Sequence, residues 1–524
     1  MRRYEWLFLI IIFIFAIIVR FYSFKESIYF SFDQARDIYI SQDIYLKGDL
    51  KFMGPPVSGN IGLFHGVLFW YLIGPLNLLL NGNPLLISAI FRLINALGVF
   101  LVFIIAKNIF NSKVGLLSAL FYAISFEETQ YSIYVGNPSL AVLAILLIFY
   151  GASWLLNKDK QEKWSPLLMF TGAAIATQFN LMYVYSFILV FIILIIFKKE
   201  AQKIKIRYYL YSFFTTIFIL STYILIELKY KFRSIKLAIS LFQQGFGILN
   251  PNESKYSLYL QKYLLMFKDN ILGLIDNKII IYIIISIVTL WLFVKARKNI
   301  KYILLLVWIL GWVILMFIGG HLAYYTNAGL SVGILILVSV ILEKLFKFNK
   351  PLAIILVALI ILGNLKQIKY QSPKSLLVQF APQVNMKLSD EYKIIDDIYQ
   401  QANGNGFTVR LSGIPYKVQT VWAYLFHFYG EKKYGYLPFW ETGNTFGFPG
   451  NLPSPTNGTT CIRFRVVEPA NGLSEKIINE DLKIEEYFSD YKNQVKFGDF
   501  LLETRQAKDN NCHNTKPIKD SLLK

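Results

Sequence analysis

Long apolar runs broken by short polar stretches dominate the chain. Runs that approach the length needed to cross a bilayer lie near residues 6–24, 64–80, 85–106, 114–126, 138–156, 164–178, 180–197, 208–227, 278–294, 302–318, 322–342 and 351–364. About twenty apolar residues in a helix span the hydrocarbon core, so each is a candidate membrane helix. The run 64–80, "FHGVLFWYLIGPLNLLL", differs from the rest. It holds His65, Gly74, Pro75 and Asn77, which suit a bent helix at the membrane boundary better than a plain span.

Basic residues between the runs decide the topology, because short loops rich in Lys and Arg stay in the cytoplasm. The loops at 107–113, 157–163, 198–207, 295–301 and 343–350 carry 17 Lys and Arg. All five fall inside, with Arg2 and Arg3, only if 64–80 does not cross. The pattern therefore predicts eleven spans over residues 1–364, with extracytoplasmic loops at 25–84, 127–137 and 228–277. The opening "MRRYEWLFLIIIFIFAIIVRFYSF" is basic and then apolar, like a secretion signal. It lacks a small-x-small cleavage site and reads as an uncleaved first helix.

Residues 365–524 turn polar and rich in Gly, Pro and Asn, as in "ETGNTFGFPGNLPSPTNGTT", with strand-like runs "GFTVRLSG" and "CIRFRVV". The expected fold is an all-α polytopic membrane protein with a small C-terminal extracytoplasmic domain, α/β or mostly β. No internal repeat is visible, so nothing hints at an inverted-repeat transporter.

Composition agrees. Of 524 residues, 55% are hydrophobic and 16% charged, and the 44 Phe and 34 Tyr fit lipid-facing helices and interfacial belts. The net charge of +20 resides largely in the short loops, where it orients helices, and the reading excludes a nucleic-acid partner. The two cysteines, Cys461 and Cys512, allow no thiolate metal site, but they could form one bridge if their region is extracytoplasmic.

Candidate chemistry sits in the expected outer loops. In "SIYFSFDQARDIYIS", residues 27–41, Asp33 and Asp37 lie one turn apart on a predicted amphipathic helix resting on the membrane, with Arg36 between them. A carboxylate at a lipid–water boundary loses solvation and becomes a better proton acceptor, although either acid could instead be a helix cap or a solvated charge. Arg92 could contact an anion or snorkel to the interface, and His65 could bind a ligand or pack. The second outer loop, "SFEETQYSIYVGNPSL", carries Glu127 and Glu128 and ends at Asn137–Pro138, which also reads as a plain turn before a helix. His321 and Tyr325, in "GGHLAYYTNAG", could reach headgroups or simply anchor at the interface. Asp33, Asp37 and Glu128 could supply oxygen ligands to a divalent cation, but they form no recognised metal motif.

The order of these features resembles the GT-C glycosyltransferases: a first helix, an outer loop opening on an acid, His65 in an aromatic-rich segment, the turn "NGN" at 81–83, and then Arg92. The likeness is to the branch that includes protein O-mannosyltransferases and lipid A aminoarabinose transferases, and it covers roughly residues 5–200. It implies transfer of a sugar, with inversion, from a polyprenyl phosphate carrier to an extracytoplasmic acceptor hydroxyl on a lipid, glycan or protein. Asp33 matches the acid that serves as base. Arg36, His65 and Arg92 are the cations expected near the phosphate, and Asp37, Glu128 and Asn137 are expected to shape the sugar or acceptor site. Many relatives carry an acid where this chain has Asn137, and an amide cannot serve as a base. The rival expectation is a transporter or flippase of lipid-linked saccharides. It would place charges near the bilayer midplane, whereas most acids here lie in outer loops or the tail.

Overall fold

The computed structural model describes residues 3–57, 62–156, 162–244, 255–318, 324–376, 383–416, 418–441, 460–469 and 474–508. The chain forms two compact units. One comprises residues 1–22, 51–69 and 89–370, and the other residues 23–50, 70–88 and 371–524.

The first unit is built from apolar helices that begin where the sequence supplies a cap. Asn111 accepts from the amides of Lys113 and Val114 and opens Ser112–Ile124. Asn277 and Asn299 open Lys278–Ala296 and Ile300–Ile309 in the same way. Four described helices are long and apolar enough to cross a membrane: Pro84–Ile109, Asn137–Leu156, Lys278–Ala296 and Lys350–Lys374. A fifth arises if Ile206–Ile219 and Ser221–Lys229, bent by 60°, form one broken span. Shorter apolar helices include Ser112–Ile124, Leu181–Ile196 and Ile300–Ile309. Between Ser112–Ile124 and Asn137–Leu156, Ser125 caps a short helix, Phe126–Ile133, through the Glu128 amide. Phe149 stacks on Trp308 at 3.8 Å in the unit's core.

The second unit is organised around a five-stranded mixed sheet. Its strands are β1 (Phe407–Ser412), β2 (Phe439–Trp440), β3 (Ile462–Val467), β4 (Ser489–Phe497) and β5 (Phe500–Ala507), in the order β2-β1-β3-β5-β4. The strand-like runs expected at 406–413 and 461–467 are β1 and β3. β1 is parallel to β2 and to β3, and the β3–β5 and β5–β4 pairs are antiparallel. With helices Leu388–Ala402, Thr420–Leu425 and Glu475–Phe488, this is α/β and not mostly β. Beside the sheet lies an ionic layer. Arg410, Arg463, Arg465 and Arg505 pair with Glu441, Asp481, Glu485 and Glu503, all nearly buried. Burying that many charges is tolerable because each finds an opposite partner. Cys461, at the start of β3, is disulfide-bonded. The chain's other cysteine, Cys512, and the Gly-, Pro- and Asn-rich stretch 442–459 lie outside the described residues.

Candidate functional site

The opening aspartates sit on helix Phe32–Leu46. Ser31 precedes the helix, and Gln34 Oε1 accepts from both its amide (3.2 Å) and its hydroxyl (2.7 Å), so neither aspartate is the cap. On this helix Gln34, Ala35, Asp37, Ile38, Tyr39, Ser41, Asp43 and Ile44 are all buried, while Tyr45 and Leu46 at its end are exposed. Tyr39 and Phe30 pack on Tyr424 at 5.0 and 5.5 Å, and the Tyr424 hydroxyl donates to the Gly82 carbonyl.

Arg36 joins the two acids. Its Nη1 donates to Asp33 Oδ1 at 2.7 Å, and its Nε and Nη2 donate to Asp37 Oδ1 at 2.9 and 2.8 Å. Trp70 Nε1 adds a further bond to Asp37 Oδ1 at 2.8 Å. The two carboxylates differ in setting: the Asp33 side chain is 46% exposed and that of Asp37 only 5%. Burial pushes the Asp37 carboxyl up, with the Arg36 charge opposing it. The outcome is one accessible carboxylate oriented by a guanidinium that a buried second acid holds in place.

The first unit contains the other candidates. Arg92 is fully buried, and its Nη1 donates to the Arg20 carbonyl at 2.6 Å, at the C-terminal end of the first helix, where a cation offsets exposed carbonyls. Arg20 is also fully buried and reaches Asn95 Oδ1 at 2.9 Å and the carbonyls of Tyr122 (2.8 Å) and Ala123. Asn95 then donates to Glu128 Oε2 at 3.1 Å. Burial lifts the Glu128 carboxyl to about 7, although Arg20 and Asn95 oppose the rise. Its neighbour Glu127 accepts from Asn270 (2.6 Å) and Ser331 (3.0 Å).

His65 is half-buried. Its Nδ1 accepts from the Leu181 amide at 3.2 Å, which leaves Nε2 to carry the proton of the neutral ring. Asn137 opens its helix, with Pro138 in the first turn as the plain-turn reading expects, yet its Oδ1 is buried with no partner among the described residues. Tyr325 lies on the single turn Tyr324–Asn327. Tyr131 and Tyr185 hold that turn by donating to the carbonyls of Tyr324 (2.6 Å) and Thr326 (3.2 Å). His321 lies outside the described residues.

Among the described residues, no three His, Cys, Asp or Glu side chains are grouped so as to hold a metal ion. The sequence reading gave no role to Arg20, Trp70, Asn95 or Asn270. Asn95 had a signal, as an amide inside an otherwise apolar run. Trp70 had none, because a tryptophan in an apolar segment passes for a lipid contact.

The fold, apolar helices with a small C-terminal α/β sheet, is GT-C-like by its similarity to solved structures. A family model described as dolichyl-phosphate-mannose-protein mannosyltransferase matches residues 65–226. Among solved structures, the chain is similar to ArnT from Cupriavidus metallidurans bound to undecaprenyl phosphate, with a TM-score of 0.60 and 10% identity over 98% of this chain and 100% of that one. It is likewise similar to the same protein in the apo state, with a TM-score of 0.59 and 9% identity over 94% and 97% of the two chains. At this identity the likeness is one of fold. No curated protein sequence matches the chain.

Proposed function

We propose that the protein is an inverting glycosyltransferase that moves a sugar from a polyprenyl phosphate carrier to an extracytoplasmic acceptor hydroxyl. The observation that carries this reading is the similarity of nearly the whole chain to a fold solved with undecaprenyl phosphate bound. The family match over residues 65–226 supports it. In the proposed reaction the acceptor oxygen bonds to the anomeric carbon as the bond from that carbon to the phosphate oxygen breaks. The acceptor proton passes to Asp33, and the polyprenyl phosphate leaves with the bonding pair.

Asp33 is assigned as base because it is the accessible carboxylate of its cluster. His65 is assigned to the leaving phosphate through its Nε2 proton. Arg36 and Arg92 are assigned to it by exchanging their present partners for phosphate oxygens, which accept charge-assisted bonds at least as well. Asp37, Glu128 and Asn137 are assigned to the sugar and acceptor, and His321 and Tyr325 to the headgroup region. No resident metal is assigned. The reading keeps eleven spans over residues 1–364 and an extracytoplasmic domain over 365–524, in the cell membrane. The disulfide at Cys461 suits that oxidising side.

The test is purified protein in detergent with labelled polyprenyl-phosphate sugars, following release of free polyprenyl phosphate. Asp33→Asn is expected to lower turnover about a hundred- to ten-thousand-fold while leaving insertion and folding intact. Turnover by Asp33→Asn at the wild-type rate overturns the assignment of the base. Absence of release by the wild type with every donor overturns the activity.

A further inference from the structure

A second feature, independent of the proposed transfer, lies at the basic ends of two helices in the first unit. There a cavity of about 360 Å³ is lined by Lys163, Lys203, Lys205, Arg207 and Tyr208, with Glu162 the one acid. Local structure sets this arrangement. After the short helix Lys198–Ala201 the chain turns through bonds from the Lys203 amide to Glu200 (3.1 Å) and from the Ile204 amide to Ala201 (3.2 Å). Ile204 is tucked in, so Lys203 and Lys205 on either side point outward.

Tyr208 supplies an aromatic ring to the lining, and neighbouring rings pack around it. Trp164 packs edge-on against Tyr208 at 4.9 Å and stacks with Tyr211 at 6.1 Å. Lys163 Nζ and Arg207 Cζ stand 5.8 and 5.0 Å from the Tyr208 ring centroid, and Arg207 Nη2 donates to the Tyr208 hydroxyl at 3.3 Å. Among the described residues no carboxylate pairs with any of the four cations. Four like charges around one hollow repel one another, and an anion placed between them converts that repulsion into attraction. Immediately beyond the cavity, Leu210, Phe213 and Phe214 are exposed on the apolar helix Ile206–Ile219. A ligand that satisfies both parts has an anionic head and a greasy tail.

We propose that this cavity binds the phosphate headgroup of an anionic phospholipid, with its acyl chains along Ile206–Ile219. The charge bias of the loops assigns it to the cytoplasmic leaflet, where anionic lipids meet basic pockets between membrane helices. A solvated basic loop would carry the same charges, but it would need neither a cavity nor the Tyr208 ring in its wall.

The experiment uses the full chain in nanodiscs of phosphatidylcholine mixed with phosphatidylglycerol, and native mass spectrometry to count retained lipids. The wild type is expected to retain phosphatidylglycerol roughly tenfold over its share of the bilayer. The variant Lys163→Gln/Lys203→Gln/Lys205→Gln/Arg207→Gln is expected to lose that preference. A charge-matched control, Lys295→Gln/Arg297→Gln/Lys298→Gln/Lys301→Gln in another basic loop, is expected to keep it. Equal loss in the control, or undiminished preference in the cavity variant, overturns the proposal. A thermal shift with soluble glycerol phosphate alone, equal to that with the lipid, also overturns it by showing that the tail contributes nothing.

Discussion

At the scale of single residues, the clearest consequence of burial concerns Glu128. Its carboxyl is lifted from an ordinary value of 4.5 to about 7 by loss of solvent, so between those values the folded chain binds a proton that the unfolded chain has released. Stability supplied by the protonated form is present below pH 4.5 and is lost as the pH rises toward 7. The size is on the order of 3 kcal/mol, since each tenfold change in proton affinity is worth about 1.4 kcal/mol. Glu128→Gln keeps the hydrogen-bonding outline and removes the titration. Its melting temperature is expected to fall less steeply from pH 5 to 8 than that of the wild type, because Asp269, lifted to about 6, keeps titrating in both proteins, as scanning calorimetry in detergent can show. Equal slopes for the two proteins would mean that Glu128 keeps its charge throughout, sustained by Arg20. The two acids of the first loop were legible in sequence as a pair, since spacing alone puts Asp33 and Asp37 a turn apart. Their inequality was not, because it depends on Trp70 and on a buried environment assembled from residues far away in the chain.

At the scale of elements, helix Leu68–Leu79 is the helical part of the run 64–80. Its 12 residues reach about 18 Å, well short of a hydrocarbon core of about 30 Å, and Pro75 lies inside it. It holds the aspartate helix. Trp70, Gly74 and Asn77 recur at i, i+4 and i+7, one face of a helix, and that face meets Phe32–Leu46. Trp70 bonds Asp37, Asn77 donates to Ser41 Oγ at 2.5 Å, and Gly74 lets the backbones approach between them. A Cβ on Gly74 would come within 2.9 Å of the Ser41 carbonyl and closer still to the Tyr45 ring. The ring can swing away, but the carbonyl is fixed in its helix. Gly74→Ala is therefore expected to cost about 1–3 kcal/mol, seen as a lower melting temperature, and to reduce turnover by shifting the helix that carries Asp33. Unchanged melting and turnover would show that the two helices separate without consequence. The sequence flagged Gly74 and Pro75 as a bend. It could not flag Gly74 as a contact, because the partner carbonyl is known only once the fold is.

At the scale of the whole molecule, the sidedness of the loops decides whether the proposed site faces its donor, and one helix controls that sidedness. If the helix Leu68–Leu79 does not cross, each later loop keeps the side that its Lys and Arg prefer. If that segment crossed, every loop after it would change sides and the 17 basic residues of the five loops would face outward. Two positions separate these cases. Asp276, whose side chain is 82% exposed, lies in the loop 228–277, and Lys298 lies exposed in the next basic loop. Cysteines introduced singly at these positions in intact cells are expected to react with a membrane-impermeant maleimide at 276, and at 298 only after permeabilisation. Leu50 and Tyr487, both exposed, are expected to label from outside like 276. The reverse pattern at 276 and 298 would place the sheet, and with it the Asp33 helix of the same compact unit, inside the cell, where a disulfide at Cys461 would be reduced and a polyprenyl-linked donor facing outward could not meet Asp33. That result would remove the proposed reaction even if the fold stood.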